Sequence, residues 1–263
     1  MGGTNLRKGK RSISAVRSIA ARQVRDYQAG QPGSVFNDPG FRLSLDDAYL
    51  VQLEAVRLRL ASGESVAGYK IGCVSATVRK QLGTQHAVFG HVFQDEVKTS
   101  PARVAASNYS GLGVEGELAV RLSQRLSDLD SLRGAPESFV AEVLPVIELH
   151  NYVFRGGHPR AAEVVANNAL HAGIVVPAVR GPLCPNLDVG IRVQIGQRVD
   201  EQALVNPFAT LHELASRLAS FDITPQNGDI LLTGSPLPLY RVSSGENVWV
   251  RSTDGQEVTA LID

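Results

Sequence analysis

The segment GLGVEGELAV, residues 111–120, carries two glutamates two positions apart in an otherwise apolar run. Side chains two apart on a β-strand point to the same face of the sheet. Glu115 and Glu117 therefore project together, with Gly116 between them on the opposite face. Since glutamate is rarely buried unless it is paired or coordinated, the pair marks either a buried binding site or a solvent-facing strand side near Arg121.

A third acid, Glu148, lies in the segment LPVIELHNY, residues 144–152, which also has the apolar character of a buried strand. Three carboxylates that converge in a core repel one another unless protons or a cation compensate their charge. Oxygen ligands of this kind favour Mg²⁺ or Mn²⁺, whose remaining coordination positions stay open for water and substrate. The sequence therefore makes Glu115, Glu117 and Glu148 candidate metal ligands.

Apolar periodicity and turn signals predict an α+β protein in which helices come early and strands dominate later. Helices are expected from Ser44 to Gly63, from Asn206-Pro207 to about Ser220, and, as a shorter piece, over 159–167. Asp254-Gly255 predicts a tight hairpin between the last two strands. Strands are predicted at 67–72, 114–121, 143–150, 172–178, 190–196, 229–233, 247–251 and 257–262.

The N-terminal segment is basic, with seven Lys or Arg residues before the first acid, Asp26. Its Arg- and Ser-rich composition is typical of a transit peptide, whereas apolar residues at helical spacing from Ile13 to Val24 indicate an amphipathic packing helix. On the second interpretation, residues 1–63 form a helical region that packs as a cap on a β-rich catalytic body, residues 64–263.

The overall charge points away from nucleic acid and anionic membranes as partners, because Lys plus Arg and Asp plus Glu are both 26. No apolar run approaches the length that a membrane-spanning helix needs. Cys73 and Cys184 lie far apart without metal or redox spacing, as in a reducing compartment. We therefore expect a cytoplasmic protein.

Six segments follow one another along the chain: GYKIGCVSATVRKQLG (68–83), VEGELAV (114–120), VLPVIELHNYVF (143–154), NNALHAGIVV (167–176), NPFATLHELASRL (206–218) and GDILLTGS (228–235). In this order they resemble the 2-keto-4-pentenoate hydratase / 4-oxalocrotonate decarboxylase branch of the fumarylacetoacetate hydrolase superfamily. The resemblance covers most of the chain from about residue 40 onward.

The resemblance implies a mixed β-roll body that binds one Mg²⁺ or Mn²⁺ through the three glutamates. The lysine of the family's G-x-K-x-G segment falls on Lys70, which could stabilise an enolate as a cation or move a proton. Thr233 and Ser235 could bind the substrate carboxylate, or could simply form a strand-to-loop turn. Family substrates are small 2-oxo acids, and relatives commonly form homo-oligomers, so we expect one here.

Two positions depart from the family pattern. Hydratases of the family commonly carry an aspartate before an aromatic-glycine pair, where this chain has Val88 in TQHAVFG; decarboxylases tend to have an aliphatic residue there. Relatives often have an aspartate at the position of Asn151, which keeps the capacity to hydrogen-bond a substrate but lacks the charge. His86 is a conceivable substitute base; His150 and His171 are further titratable groups near the motifs.

These features predict a metal-dependent lyase, a hydratase or a decarboxylase, that works through an enolate stabilised by the metal and by Lys70. An acylpyruvate C–C hydrolase of the same superfamily is an alternative, although it would need a base to activate water. The departures at Val88 and Asn151 also leave open a non-catalytic descendant that binds a metal or a keto acid.

Overall fold

The structure, a computed structural model, describes residues 11–31, 34–37, 41–154, 159–179 and 189–263. The basic residues before 11 and Cys184 lie outside the described residues. The described part contains six α-helices: α1 Ile13–Gln28, α2 Leu45–Ala61, α3 Ala76–Leu82, α4 Leu129–Gly134, α5 Ala161–Ala166 and α6 Leu211–Ala219.

The strands form two sheets. In chain order they are β1 Val66–Gly72, β2 Val88–Phe93, β3 Val97–Thr99, β4 Ala102–Val104, β5 Leu112–Leu122, β6 Val140–Asn151, β7 His171–Val176, β8 Val189–Ile195, β9 Arg198–Val205, β10 Ile230–Leu232, β11 Tyr240–Arg241, β12 Asn247–Ser252 and β13 Glu257–Ile262. The larger sheet has the order β2-β1-β10-β5-β6-β7-β3, and β11 also pairs with β5. Because β1–β10 and β3–β7 are parallel while the other pairs are antiparallel, this sheet is mixed.

The smaller sheet, with the order β4-β13-β12-β8-β9, packs against one face of β5. Gly116 lies at this contact, where an added Cβ would come within 2.3 Å of Val193 Cγ2 and 2.9 Å of Val250 Cγ2. The absence of a side chain therefore lets the two sheets approach closely. The glutamates on either side of Gly116 point to the other face of β5.

The larger sheet is curled, and its inner face encloses a small apolar cluster. Lys70 on β1 and Glu148 on β6 are separated by β10 and β5, which in a flat sheet would hold their strands about 14 Å apart. Their side chains nevertheless meet, with Nζ 2.8 Å from Oε1. The cluster that fills the curl consists of Val92, Ala119, Leu144, Val146, Ile174, Val176, Ile230 and Leu232.

Two buried glutamines connect α1 and α2 with strand β2 and helix α5. Gln52 on α2 donates from Nε2 to Phe89 O at 3.0 Å and to Val165 O at 2.8 Å. Gln23 on α1 donates to Ala166 O at 2.9 Å. Helix α1 therefore packs against α5, whereas a helical cap formed by residues 1–63 stays a prediction.

The predicted α+β class and the mixed sheet are confirmed, and every predicted strand is present. Helix α2 begins after its predicted cap, because Ser44 Oγ accepts a hydrogen bond from Asp47 N at 3.0 Å. Helix α6 starts at Leu211 rather than at Asn206, whose side chain instead accepts from Phe208 N in a turn. Within the described ranges, no helix is both long and apolar enough to cross a bilayer.

Candidate active site and metal centre

The predicted carboxylates share the inner face of the larger sheet, and ligand atoms of Glu115 and Glu148 lie within 4.8 Å of each other. Glu115 on β5 lies directly opposite Glu148 on β6, and Glu117 lies opposite Val146. Glu117 is 0% exposed and Glu148 is 1% exposed, whereas Glu115 is half-buried. A solvent-facing strand side is therefore excluded as the explanation of the pair.

Lys70 reaches this cluster from β1 and is itself buried. Its Nζ lies 2.8 Å from Glu148 Oε1 and donates to Ala169 O at 3.3 Å. Burial lowers the pKa of Lys70, but the surrounding carboxylates, Glu148 foremost, outweigh burial and hold that pKa above its ordinary value. Lys70 is therefore a buried ammonium beside the carboxylates.

Two histidines flank Glu148. His150 Nε2 lies 3.1 Å from Glu115 Oε2 and 3.3 Å from Glu148 Oε2, and His171 Nδ1 lies 2.7 Å from Glu148 Oε1. Burial would lower the pKa of His150, but Glu148 and Glu115 raise it to about 9. Burial raises the pKa of Glu148, yet the charges of His150 and Lys70 hold it well below its ordinary value. The cluster thus pairs its carboxylates with cationic groups.

A left-handed turn, residues 168–170, carries two of these contacts. Asn168, Ala169 and Leu170 have φ values of +53°, +53° and +65°. The Asn168 side chain holds the turn against β2: it accepts from His91 N at 2.7 Å and donates to His91 O at 2.8 Å. Gly90 leaves the necessary space, because a Cβ there would lie 2.5 Å from Asn168 O. The turn delivers Ala169 O to Lys70 and leads directly into His171.

Glu117 is the member of the cluster whose charge is least compensated. Neither of its buried oxygens has a hydrogen-bond partner among the described residues. Burial, with Glu148 and Glu115 nearby, raises the pKa of Glu117 well above its ordinary value. A buried carboxylate in this condition fits a bound cation, which would supply compensating positive charge. The donor set, mainly carboxylate oxygen, suits a hard divalent ion.

Val88, at the family's aspartate position, lies beside Lys70. Val88 pairs with Gly72 and is buried. An ideal Cβ on Gly72 would be 3.6 Å from Val88 Cγ2 and 3.7 Å from Lys70 Nζ, so the two side chains are neighbours across Gly72. An apolar side chain therefore stands where an aspartate would face the lysine.

Thr233 and Ser235 lie close to the cluster, but their hydroxyls contact the backbone. Thr233 Oγ1 donates to Leu118 O at 2.7 Å. Ser235 Oγ lies 3.0 Å from Gly116 O and accepts from Leu237 N at 3.1 Å. These contacts are those of a strand-to-loop turn, and a role in binding the substrate carboxylate stays a prediction.

The structure does not bring Asn151 and His86 into the cluster. Asn151 follows His150 on β6 and therefore points to the opposite face, where its Oδ1 accepts from Ser110 N at 2.9 Å. His86 is exposed, and its backbone exchanges hydrogen bonds with the Thr84 hydroxyl. Their catalytic and substrate-binding roles stay predictions.

Tyr152 and Arg241 lie further along the inner face and were not among the predicted site residues. Arg241 on β11 pairs with Gly113, two residues from Glu115, and its guanidinium lies 3.6 Å from the centroid of the Tyr152 ring. Burial raises the pKa of Tyr152, which also feels the charges of Arg241, Glu115 and Lys70. No short motif marks the pair in the sequence, because β11 is only two residues long.

The fold matches that of a solved lyase. The structure of 4-oxalocrotonate decarboxylase from Pseudomonas putida G7, complexed with magnesium and adipate, superimposes with a TM-score of 0.88 and 20% identity over 97% of this chain and 100% of that one. Fumarylpyruvate hydrolase from Pseudomonas aeruginosa, in complex with Mn²⁺ and pyruvate, matches with a TM-score of 0.56 and 16% identity over 74% of this chain and 88% of that one.

Sequence comparison identifies hydratases among the relatives of this chain. The 2-keto-4-pentenoate hydratase 2 of Dechloromonas aromatica (strain RCB) is 29% identical over 240 residues, covering 88% of this chain and 91% of the relative. The TodF product hydratase of Pseudomonas putida is 28% identical over 262 residues, covering 94% and 97%. No family model matches the chain. The predicted resemblance to the hydratase and decarboxylase branch is confirmed by these similarities.

Proposed function

We propose that this chain is a divalent-metal-dependent lyase that acts on a small 2-oxo acid or its dienol. One observation carries the proposal: three glutamates converge on the buried inner face of the curled sheet, with Lys70 Nζ 2.8 Å from one of them. The two hydratases and the decarboxylase among the similar proteins bear out the lyase class predicted from the sequence.

Glu115, Glu117 and Glu148 would hold the metal. The unpartnered oxygens of Glu117 support this assignment, because a buried carboxylate without hydrogen bonds needs another source of compensation. When bound, Mg²⁺ or Mn²⁺ supplies Lewis-acid stabilisation of negative charge on a substrate oxygen. Structures of the similar 4-oxalocrotonate decarboxylase contain magnesium or calcium.

Lys70 would stabilise the negative charge that develops as the enolate or dienolate forms. Its ammonium is held in a buried position by Glu148 and Ala169 O, so the positive charge is in place before the reaction begins. Since the site excludes most water, this charge acts more strongly than it would in solution. Glu148 and His171 fix the direction in which Lys70 points.

Val88 bears on which lyase reaction follows. Addition of water to a vinyl group requires protons to be moved near the substrate, and valine beside Lys70 cannot move one. Loss of CO₂ from a vinylogous β-keto acid does not need an acid or base at position 88 to start, because the electrons of the broken C–C bond pass directly into the enolate. Val88 therefore favours decarboxylation, whereas the named sequence relatives favour hydration.

The test uses metal-stripped protein with 2-hydroxypenta-2,4-dienoate, 4-oxalocrotonate, acylpyruvates and oxaloacetate. Turnover is followed with and without Mg²⁺ or Mn²⁺ by loss of the dienol or enol absorbance and by CO₂ release. We expect metal-dependent turnover; CO₂ identifies a decarboxylase, and its absence points to hydration or to C–C hydrolysis, separated by product identification.

Tight metal binding without turnover of any of these acids would contradict a lyase for them and favour the non-catalytic alternative. Failure to bind any divalent metal would overturn the assignment of Glu115, Glu117 and Glu148. A homo-oligomeric state and a cytoplasmic location stay predictions, and size-exclusion chromatography with light scattering would test the first.

A further inference from the structure

His150 lies beside the predicted glutamate ligands but is not itself one of the predicted ligands. It lies two residues after Glu148 on β6 and therefore on the same face of the sheet. One ligand atom from each of Glu115, Glu148 and His150 can be chosen so that all lie within 4.8 Å of one another. Its side chain is buried, and Nε2 points at both carboxylates.

We propose that His150 Nε2 is a ligand of the divalent metal beside the carboxylates of Glu115 and Glu148, which makes the site mixed nitrogen and oxygen rather than all-carboxylate. The inference rests on the proposed function only in requiring that a metal binds. The metal would take the place of the proton that Glu148 and Glu115 favour on Nε2, and that proton would be released to solvent. Ligands at adjacent corners of an octahedron with bonds of about 2.1 Å are about 3.0 Å apart. The observed separations of 3.1 Å and 3.3 Å from Nε2 to the two carboxylates match that spacing.

A nitrogen ligand changes which metal the site prefers. Mg²⁺ prefers carboxylate and water ligands. An imidazole nitrogen binds Fe²⁺, Co²⁺ and Zn²⁺ strongly and Mn²⁺ more weakly, which follows the general order of affinity for divalent ions. His150 therefore predicts tighter binding of Co²⁺ or Mn²⁺ than of Mg²⁺. Glu117, which lies deeper in the sheet, retains its role as a carboxylate ligand or as a source of negative charge next to the metal.

The competing explanation is that His150 only forms hydrogen bonds and an ion pair with the two glutamates. His171 provides the matched control for this alternative. It is equally buried, but among the described residues its ion-pair contact is with Glu148 alone, at 2.7 Å from Nδ1, whereas His150 Nε2 lies close to both Glu115 and Glu148. A purely electrostatic effect would appear in variants of either histidine.

The experiment measures nitrogen coupling to bound Mn²⁺ by pulsed electron paramagnetic resonance. The wild-type protein, His150→Gln and His171→Gln are each loaded with Mn²⁺, and wild-type protein labelled with ¹⁵N-histidine is measured in parallel. We expect histidine coupling in the wild type, a shift from the ¹⁴N to the ¹⁵N pattern on labelling, retention in His171→Gln and loss in His150→Gln. Calorimetry should show the preference for Co²⁺ over Mg²⁺ fall at least about tenfold in His150→Gln.

Each other outcome has a definite meaning. Mn²⁺ bound without histidine coupling in the wild type overturns this inference and leaves the proposed function standing. Coupling that survives in His150→Gln, or that disappears in His171→Gln instead, overturns the assignment to His150. If His150→Gln fails to fold, the labelled wild type establishes or removes a histidine ligand, and His171→Gln then identifies which one. Absence of metal binding removes the proposed function itself.

Discussion

At the scale of single residues, Glu117 and Glu142 are two buried glutamates with opposite environments. Glu117 has no hydrogen-bond partner for either oxygen among the described residues, whereas Glu142 accepts from Arg121 Nε at 3.1 Å. Replacing each by glutamine removes the charge and keeps the shape. Comparing the two substitutions therefore distinguishes a carboxylate that binds a ligand from one that stabilises the fold.

We expect Glu117→Gln to raise the free energy of unfolding of the metal-free protein by about 1–3 kcal/mol, because it removes a buried uncompensated acid. Glu142→Gln should lower it, since Arg121 loses its charged partner. The change in Tm on adding Mn²⁺ should vanish in Glu117→Gln and persist in Glu142→Gln. Destabilisation of metal-free Glu117→Gln would show that the carboxylate has a structural partner.

Lys70 is expected to matter for turnover far more than for binding. Lys70→Met keeps the length of the side chain and removes the ammonium, so kcat should fall by about 10²–10³-fold if the charge stabilises the enolate. Exposed Lys80 on α3 provides the control, and Lys80→Met should leave kcat unchanged. An affinity change with kcat intact would contradict a role for Lys70 in the transition state.

At the scale of elements, the contact between the two sheets depends on Gly116. A methyl group there would overlap Val193 and Val250, so Gly116→Ala should lower the free energy of unfolding by about 1–3 kcal/mol. Gly134 is the matched control, because no atom in the described part of the chain lies within 4 Å of its ideal Cβ. Urea unfolding of Gly116→Ala, Gly134→Ala and Gly116→Ala/Val193→Ala tests this, and the double variant should recover part of the loss.

Much of the sheet could be predicted because its strands are long apolar runs, and the spacing of Glu115 and Glu117 placed both on one face. The strand β9 was missed since its sequence, RVDEQALV, belongs to an exposed edge and carries little apolar signal. The strand β2 was missed because it is buried on both faces and lacks alternation. The start of α6 was misplaced since Asn206-Pro207 fits a turn as well as a cap.

The site was predictable to the extent that its residues lie on strands. The alternation that paired Glu115 with Glu117 also places His150 on the face of Glu148, so the signal for this histidine was present. His171 was harder to assign, because its contact with Glu148 depends on the left-handed turn before it. Val88 and Lys70 are close together because of the register between β1 and β2, and this register could not be predicted from the sequence.

At the scale of the whole molecule, stability should depend on pH through His91. Burial, with Arg59 nearby, lowers the pKa of His91 from 6.5 to about 4. Because the unfolded chain takes up this proton first, the contribution of neutral His91 is complete above pH 6.5 and is lost as the pH falls towards 4. Between pH 7 and pH 5 the loss is about 2 kcal/mol.

Urea unfolding at both pH values would measure this effect. The decrease from pH 7 to pH 5 should be smaller in His91→Gln than in the wild type, because glutamine does not titrate. His86→Gln, at an exposed histidine, should keep the wild-type decrease. An equal decrease in wild type and His91→Gln would show that other groups account for it.

The turn at residues 168–170 links conformational stability and catalytic activity in opposite directions. A left-handed conformation costs about 1–2 kcal/mol in residues other than glycine and asparagine. Ala169 and Leu170 both adopt it, in the turn that brings Ala169 O to Lys70 and His171 to Glu148. A glycine at position 169 would relieve part of that cost while loosening the support of the lysine. Selection for heat resistance alone should therefore favour substitutions in this turn. The resulting enzymes would have a higher free energy of unfolding and a lower turnover rate.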